Sequence, residues 1–231
     1  MSASSCLALE ASTERLSIAA SANGCTVVWE TTPARNESER LFEHASRVLA
    51  ELGTDIRRLG LVAFGAGPGS FTGLRITAAA AQALAFALKI PVARSSSLAV
   101  QAATAIRLTG AARVAICNDA RMGRAYWGVY SRSGRGVCAE QPDCVIDPVR
   151  FHSAAPAEFM AVGSGWDAYP ALTTRHRDVI SMVRAEILPS AADLLALAMA
   201  DFEHGAFVEP DMAVPNYLGH GPVPATEIYR R

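Results

Sequence analysis

Four stretches place carboxylates, hydroxyls or glycines just after an apolar run, where a folded chain can offer them to a ligand. They are Glu10-Ala11-Ser12-Thr13, the segment Gly67-Pro68-Gly69-Ser70-Phe71-Thr72-Gly73-Leu74-Arg75, Asp119 with its turn, and Gly163-Ser164-Gly165. A strand, a glycine-rich turn and a helix start form a ready anion site, because unpaired N–H groups and the helix dipole point at the turn. The Gly67 segment has that order, with Gly65 before it. It is not a Walker loop: no Lys-Ser/Thr follows at the required spacing, and Thr72 stands where G-x-G-x-x-G needs its last glycine. A phosphate cradle and a tight turn capped by Ser70 both remain open. Glu10, Ser12, Thr13, Asp119, Gly163 and Gly165 make a candidate vestigial nucleotide cleft, each with an equally simple turn reading. Two opposed strand turns plus a glycine turn are what a two-lobed ATPase needs, with a carboxylate at the first turn holding Mg²⁺. Glu10 is longer than Asp there, so its reach differs.

Other chemistry is missing from the sequence. There is no H-E-x-x-H, H-x-x-x-H or G-x-S-x-G, and the five histidines (His44, His152, His176, His204, His220) are scattered. No catalytic residue and no metal ligand is expected. The five cysteines are odd in number and lack a C-x-x-C, which fits a reducing cytoplasm rather than a disulfide framework. Net charge is −1 with both signs interspersed, so there is no electrostatic footprint of a protein that grips nucleic acid alone, and any RNA contact is expected to be indirect or minor. Met1-Ser2-Ala3-Ser4-Ser5 lacks the basic start of a signal peptide. Ile76–Leu88 falls short of the roughly 20 residues that span a bilayer.

The elements that must position these residues follow from pattern. Cys6–Glu10, Leu16–Ala20 and Cys25–Thr31 read as an antiparallel meander. A helix over about Ser38–Leu52, capped by Asn36 or Ser38, carries the stripe Leu41, Phe42, Ala45, Val48, Leu49 and Leu52. Leu59–Gly65 is a buried strand, Phe71–Leu88 a helix, Ile90–Ala93 a strand, and Ser97 to about Leu108 a further helix. Arg113–Asn118 and Ala125–Ser131 read as a hairpin, Met160–Val162 as a strand, and Ser190 to about His204 as a helix with Ser190 as N-cap and Asp193 close to a capping box. The tail from Pro210 is expected to be irregular. Domains are expected at 1–109 and 110–231, with the last helix packing back on the first lobe. Both halves open strand-turn-strand. The Phe71–Leu88 helix is apolar nearly all round, so it is expected to be buried on every side. Its alanines admit close approach of another helix; the cover is either the second lobe or a partner helix.

Leu7-Ala8-Leu9-Glu10-Ala11-Ser12-Thr13-Glu14, Ser38-Glu39-Arg40-Leu41, Gly67 through Ile76, Asp119-Ala120-Arg121-Met122-Gly123 with Tyr126-Trp127, and Val162-Gly163-Ser164-Gly165-Trp166 together resemble the TsaB (YeaZ) family, in order and spacing over nearly the whole chain. The Gly67–Arg75 stretch is the most specific. The resemblance implies an α/β, actin-like ATPase (ASKHA, ribonuclease H-like) fold with two lobes, the second reduced. It implies a cytoplasmic, non-catalytic subunit of the complex that forms N6-threonylcarbamoyladenosine beside the anticodon of tRNAs reading codons that start with A. The partners implied are the catalytic paralogue TsaD, through a helix bundle, and the ATPase TsaE, with a homodimer when alone and no membrane. No cofactor is required, and ATP or ADP belongs to the TsaD-containing complex. The implied interface falls on Leu41, Ala45, Val48, Phe71, Leu74, Ala78, Ala81 and Ala85. Aligned with the paralogue's metal-binding H-x-x-x-H are Ser97 and Gln101, poor ligands for a transition metal. This chain departs from the family's usual Asp at Glu10, usual His near Glu37, usual carboxylate at Arg124 and usual Tyr-Leu-Arg at Tyr217-Leu218-Gly219. The competing readings are a standalone ATPase or kinase of the actin-like fold and, third, a metallopeptidase.

Overall fold

The computed structural model describes residues 5–32, 37–134, 136–153 and 157–218. In chain order its elements are β1 (Ser5–Glu10), β2 (Leu16–Ala22), β3 (Cys25–Thr31), α1 (Leu41–Glu51), β4 (Leu61–Gly65), α2 (Phe71–Leu88), β5 (Val92–Ser95) and α3 (Ser97–Thr109). Then come β6 (Arg113–Arg121), β7 (Arg124–Ser133), β8 (Gly136–Ala139), β9 (Cys144–Ile146), β10 (Phe159–Val162), α4 (Gly165–Ala168), α5 (Pro170–Arg175), β11 (Ile180–Arg184) and α6 (Ala191–Glu203). They form two compact units. The first runs to Val100 and takes back Pro189–Asn216; the second is Gln101–Leu188 with the chain from Tyr217. The division thus falls nine residues before the expected cut after 109, inside α3.

The first unit is a sheet in the order β3-β2-β1-β4-β5. The meander β1-β2-β3 is antiparallel, and β4 and β5 run parallel to β1. Strand side chains alternate between faces. Leu7, Leu9, Leu16, Ile18, Val62 and Phe64 meet α1 and α2 on one face. Cys6, Ala8, Ala19, Leu61, Ala63 and Ala93 meet Ala191, Leu194, Leu195 and Ala198 of α6 on the other. Ser190 caps α6 by accepting from the Ala192 N–H, two residues on. The start of α1 differs from expectation. Residues Glu37–Arg40 form a 3₁₀ turn and Arg40 holds the cap position without a side-chain cap; Asn36 lies outside the described residues. The tail is tied rather than irregular: Val208 bridges Val92, Pro210–Met212 is a 3₁₀ turn, and the Asn216 N–H donates to the Ala66 carbonyl at 2.7 Å. Gly219 lies outside the described residues.

The second unit repeats the plan. Its sheet order is β11-β10-β6-β7-β8, with β9 also on β7. The β6-β7-β8 meander is antiparallel, and β10 and β11 are parallel to β6. Both sheets therefore read 3-2-1-4-5 from their own first strand. The helices are cut down: four-residue α4 and six-residue α5 stand where the first unit has eighteen-residue α2. Trp127, Phe159, Trp166 and Leu172 fill the core. His176 belongs to it, its Nε2 accepting from the Ser153 N–H at 2.9 Å and its Nδ1 facing the Leu172 carbonyl. His44 of the first unit is likewise buried and stacks on Trp29, ring centroids 3.7 Å apart.

Candidate functional site

Glu10 ends β1 on the α6 face of the sheet, and only 1% of it is exposed. Its Oε1 accepts from the Ser12 N–H at 2.6 Å, and its Oε2 accepts from the Ser97 hydroxyl at 3.2 Å. The same Ser97 Oγ accepts from the Gly67 N–H at 3.2 Å. A Cβ built on Gly65 would lie 1.8 Å from Oε2, so glycine there is what leaves room for the carboxylate. Burial pushes the Glu10 carboxyl above its ordinary value, against the hydrogen bonds from Ser12 and Ser97. The actin-like fold that the resemblance implies would place Mg²⁺-nucleotide at this turn. A carboxylate sealed from solvent, with both oxygens engaged by the protein, does not fit a ligand for that hydrated cation.

The glycine loop is spent in the same way. The Ala66 N–H donates to the Ser95 carbonyl, the Ser70 N–H to the Ser12 carbonyl at 2.7 Å, and the Gly73 N–H to Ser70 Oγ. Gly67 has φ +98°, which only glycine adopts readily. Cβ atoms on Gly69 and Gly73 would run into the carbonyl oxygens of Ser12 and Ala11, at 2.4 and 1.8 Å. The glycines thus serve close approach of α2 to the β1–β2 turn, and Ser70 is the cap. Of the two readings of this segment, the turn accounts for the N–H groups of Gly67, Ser70 and Gly73. Thr13 Oγ1 accepts from the Arg15 N–H at 3.3 Å, within the same turn.

In the second unit Asp119 stands at the corresponding place. Its carboxylate accepts from the Tyr169 hydroxyl at 2.8 Å and from Arg121, through the backbone N–H and the guanidinium. Burial and then Asp119 push the Tyr169 phenol up to about 12. Gly163, at φ +104°, and Gly165 allow contact with Cys117 and Asn118: added Cβ atoms would meet Asn118 Oδ1 at 2.3 Å and Cys117 Sγ at 2.4 Å. The six cleft residues therefore divide between the units, Glu10, Ser12 and Thr13 in the first and Asp119, Gly163 and Gly165 in the second, and each has a structural task. Gln101 and Asn118 pair their amides, Nδ2 to Oε1 at 2.7 Å, and Gln101 Nε2 donates to the Ile187 carbonyl. Ser97 and Gln101 are thus both committed to protein partners.

The expected interface needs correction. Leu41, Ala45, Val48, Leu74, Ala78, Ala81 and Ala85 are all buried in the chain itself. All but Leu74 belong to the core that α1 and α2 share with the sheet. They hold the helices to the unit and are not available to a partner. Phe71 alone of the eight is exposed, at 58%. Nor is α2 buried all round. Thr72, Arg75, Ala79, Ala83, Phe86 and Ala87 face outward with Phe71. Phe86 is 79% exposed and, on α1, Phe42 is 47% exposed. The Arg75 guanidinium lies over the Phe71 ring, 4.6 Å from its centroid. This outward strip of phenylalanines and alanines is an exposed apolar face that pattern missed. Phe42, expected on the apolar stripe of α1, instead lies one position off its buried residues Leu41, Ala45, Val48 and Leu49, as Phe86 does beside buried Ala85 on α2. By length and composition α2 is the one described helix that could cross a membrane. It is packed on the sheet through Leu74, Thr77, Ala78, Ala80, Ala81, Leu84 and Ala85.

Known proteins place this architecture. Residues 27–213 match the TsaD family, tRNA N6-adenosine threonylcarbamoyltransferase. The tRNA threonylcarbamoyladenosine biosynthesis protein TsaB of Escherichia coli is 33% identical over 92% of this chain and 93% of its own length. YeaZ from Pseudomonas aeruginosa, 35% identical, superposes with a TM-score of 0.83 over 93% of this chain and 100% of that one. A second Pseudomonas aeruginosa crystal structure, of a protein similar to the peptidase YeaZ, reaches 0.87 at 36% identity over 95% and 100%. A doubled 3-2-1-4-5 sheet, the Gly67–Arg75 turn and likeness along the whole chain lead to one assignment: this chain belongs to the TsaB (YeaZ) family, within the actin-like, ribonuclease H-like fold.

Proposed function

We propose that this chain acts in the biosynthesis of N6-threonylcarbamoyladenosine in tRNA as a non-catalytic, cytoplasmic subunit. It pairs with the catalytic paralogue TsaD and works with TsaE, and it forms a homodimer when alone. It needs no cofactor of its own; ATP or ADP acts in the TsaD-containing complex. Its contact with tRNA is minor, consistent with a net charge of −1.

One observation carries the reading: the apolar strip Phe71, Ala79, Ala83 and Phe86 that α2 turns outward, with Phe42 exposed on α1. Aromatic anchors over small residues let a partner's helices approach closely and give an interface its buried centre. The engaged state of Glu10 and of the glycine loop supports the absence of an independent ATPase.

The test is reconstitution of tRNA modification from purified TsaD, TsaE, the enzyme that makes threonylcarbamoyl-adenylate, tRNA and this chain. Modification should depend on the chain. Ala83→Glu should weaken its association with TsaD by roughly a hundredfold, since a buried unpaired charge costs several kcal/mol, and leave its folding intact. Equal modification without the chain overturns the role. Undiminished binding of folded Ala83→Glu overturns the interface. Robust ATP hydrolysis by the chain alone would favour the standalone ATPase.

A further inference from the structure

We propose that Glu10 is a positioning residue: its carboxyl clasps the β1–β2 turn, the glycine loop and the start of α3, and so fixes where α2 leaves the sheet. This rests on the reading of α2 as the docking face. The hydrogen bonds run in a closed chain. Glu10 Oε1 holds the Ser12 N–H, and the Ser12 carbonyl receives the Ser70 N–H at the cap of α2. Glu10 Oε2 holds the Ser97 hydroxyl, whose oxygen receives the Gly67 N–H. The three segments meet only because Gly65, Gly69 and Gly73 lack side chains, each closing on Glu10, Ser12 or Ala11 within van der Waals distance. Arg75, Ala79 and Phe86 lie on the same helix beyond Gly73, so they inherit the angle set at the cap.

The length of the side chain matters. Glu10 bridges from the end of β1 to both Ser12 and Ser97 while filling the space over Gly65. An aspartate is one methylene shorter and cannot hold both. A carboxyl that an actin-like ATPase would turn to its metal is here turned inward, toward the element that meets a partner.

The full chain should be compared with Glu10→Ala, Ser97→Ala and Glu10→Gln by amide hydrogen exchange and by affinity for purified TsaD. In Glu10→Ala and Ser97→Ala the amides of Gly67, Ser70 and Gly73 should exchange at least about tenfold faster, the loss of a buried hydrogen bond, while β6 amides keep their rates. Affinity for TsaD should fall by a similar factor. Glu10→Gln keeps an acceptor for the Ser12 N–H and a polar group for Ser97, and should restore both. Unchanged exchange at Gly67, Ser70 and Gly73 in either truncated variant overturns the proposal, as does a glutamine variant as fast as the alanine one. Should Glu10→Ala not fold, Ser97→Ala and Glu10→Gln carry the same comparison. Should the unaltered chain not bind TsaD, the docking reading fails, and the exchange rates still decide the role of Glu10.

Discussion

At the scale of single residues, the glycines of the Gly67–Arg75 segment were visible in sequence, and their purpose was not. Glycine spacing suits a phosphate and a tight backbone crossing alike. What separates the two is whether the N–H groups are free, which depends on residues far along the chain such as Ser95 and Ser97. Gly73 gives a sharp test. In an exposed helix, Gly→Ala gains about 1 kcal/mol from propensity. Here the new methyl would sit 1.8 Å from the Ala11 carbonyl oxygen, which is backbone and cannot swing away. The clash outweighs propensity, and Gly73→Ala should destabilise the chain by about 2 kcal/mol or more, read from urea midpoints.

Glu10 adds a pH dependence with a definite sign. Burial raises its carboxyl above the ordinary 4.5 in the folded chain. The unfolded chain loses this proton first as pH rises, so the folded state binds more protons in between. The contribution is fully present below the ordinary value and is lost as pH rises through the folded one. Glu10→Gln abolishes the change. Its stability relative to the unaltered chain should grow as pH is taken from acid to neutral, and the gap should close again on acidification. Denaturant midpoints at several pH values measure it; a pH-independent gap would mean that the folded and unfolded chains release this proton alike.

At the scale of elements, the meander, α1, α2 and α6 were legible, because hydrophobic period and cap residues determine them locally. The faces of α2 were not. A helix of Ala79, Ala80, Ala81, Ala83, Ala85 and Ala87 has almost no contrast between its sides, so burial is assigned by the neighbouring sheet rather than by the helix. The distinction has measurable force. Ala81 is wholly buried and Ala79 faces outward, two positions away. Ala81→Glu drives a charge into the α2–sheet core and should cost several kcal/mol, enough to unfold a domain of ordinary stability. Ala79→Glu should leave the thermal midpoint nearly unchanged. Circular dichroism melts of the two variants check this; equal melts would mean that the helix is rotated from the arrangement described.

At the scale of the whole molecule, two sheets with one topology were hinted at only by a shared strand-turn-strand opening. The later strands of the second unit are short and its third is split between β8 and β9, both paired to β7. Such fragments carry too little period to be read. The helix that returns from position 189 is more consequential. Without α6, one face of the first sheet, made of Cys6, Ala8, Ala19, Leu61, Ala63 and Ala93, keeps only Val100 of α3 from its cluster among the described residues. Burying Leu194 and Leu195 alone is worth about 2 kcal/mol each, before the sheet face they cover is counted. Set against a total stability of about 5–15 kcal/mol, that loss should be decisive for the first unit. A chain ending at Leu188 should therefore lose amide protection in β1, β2 and β4. Protection in β6, β7 and β10 should persist, since their core of Trp127, Phe159 and Trp166 lies within Gln101–Leu188. Adding residues 189–216 back as a separate peptide should restore protection in the first unit, because the helix contributes packing that does not require chain continuity. Protection in β1 and β4 that survived the truncation would mean that α1 and α2 alone hold the sheet, and that α6 is dispensable to the unit that carries the exposed strip of α2.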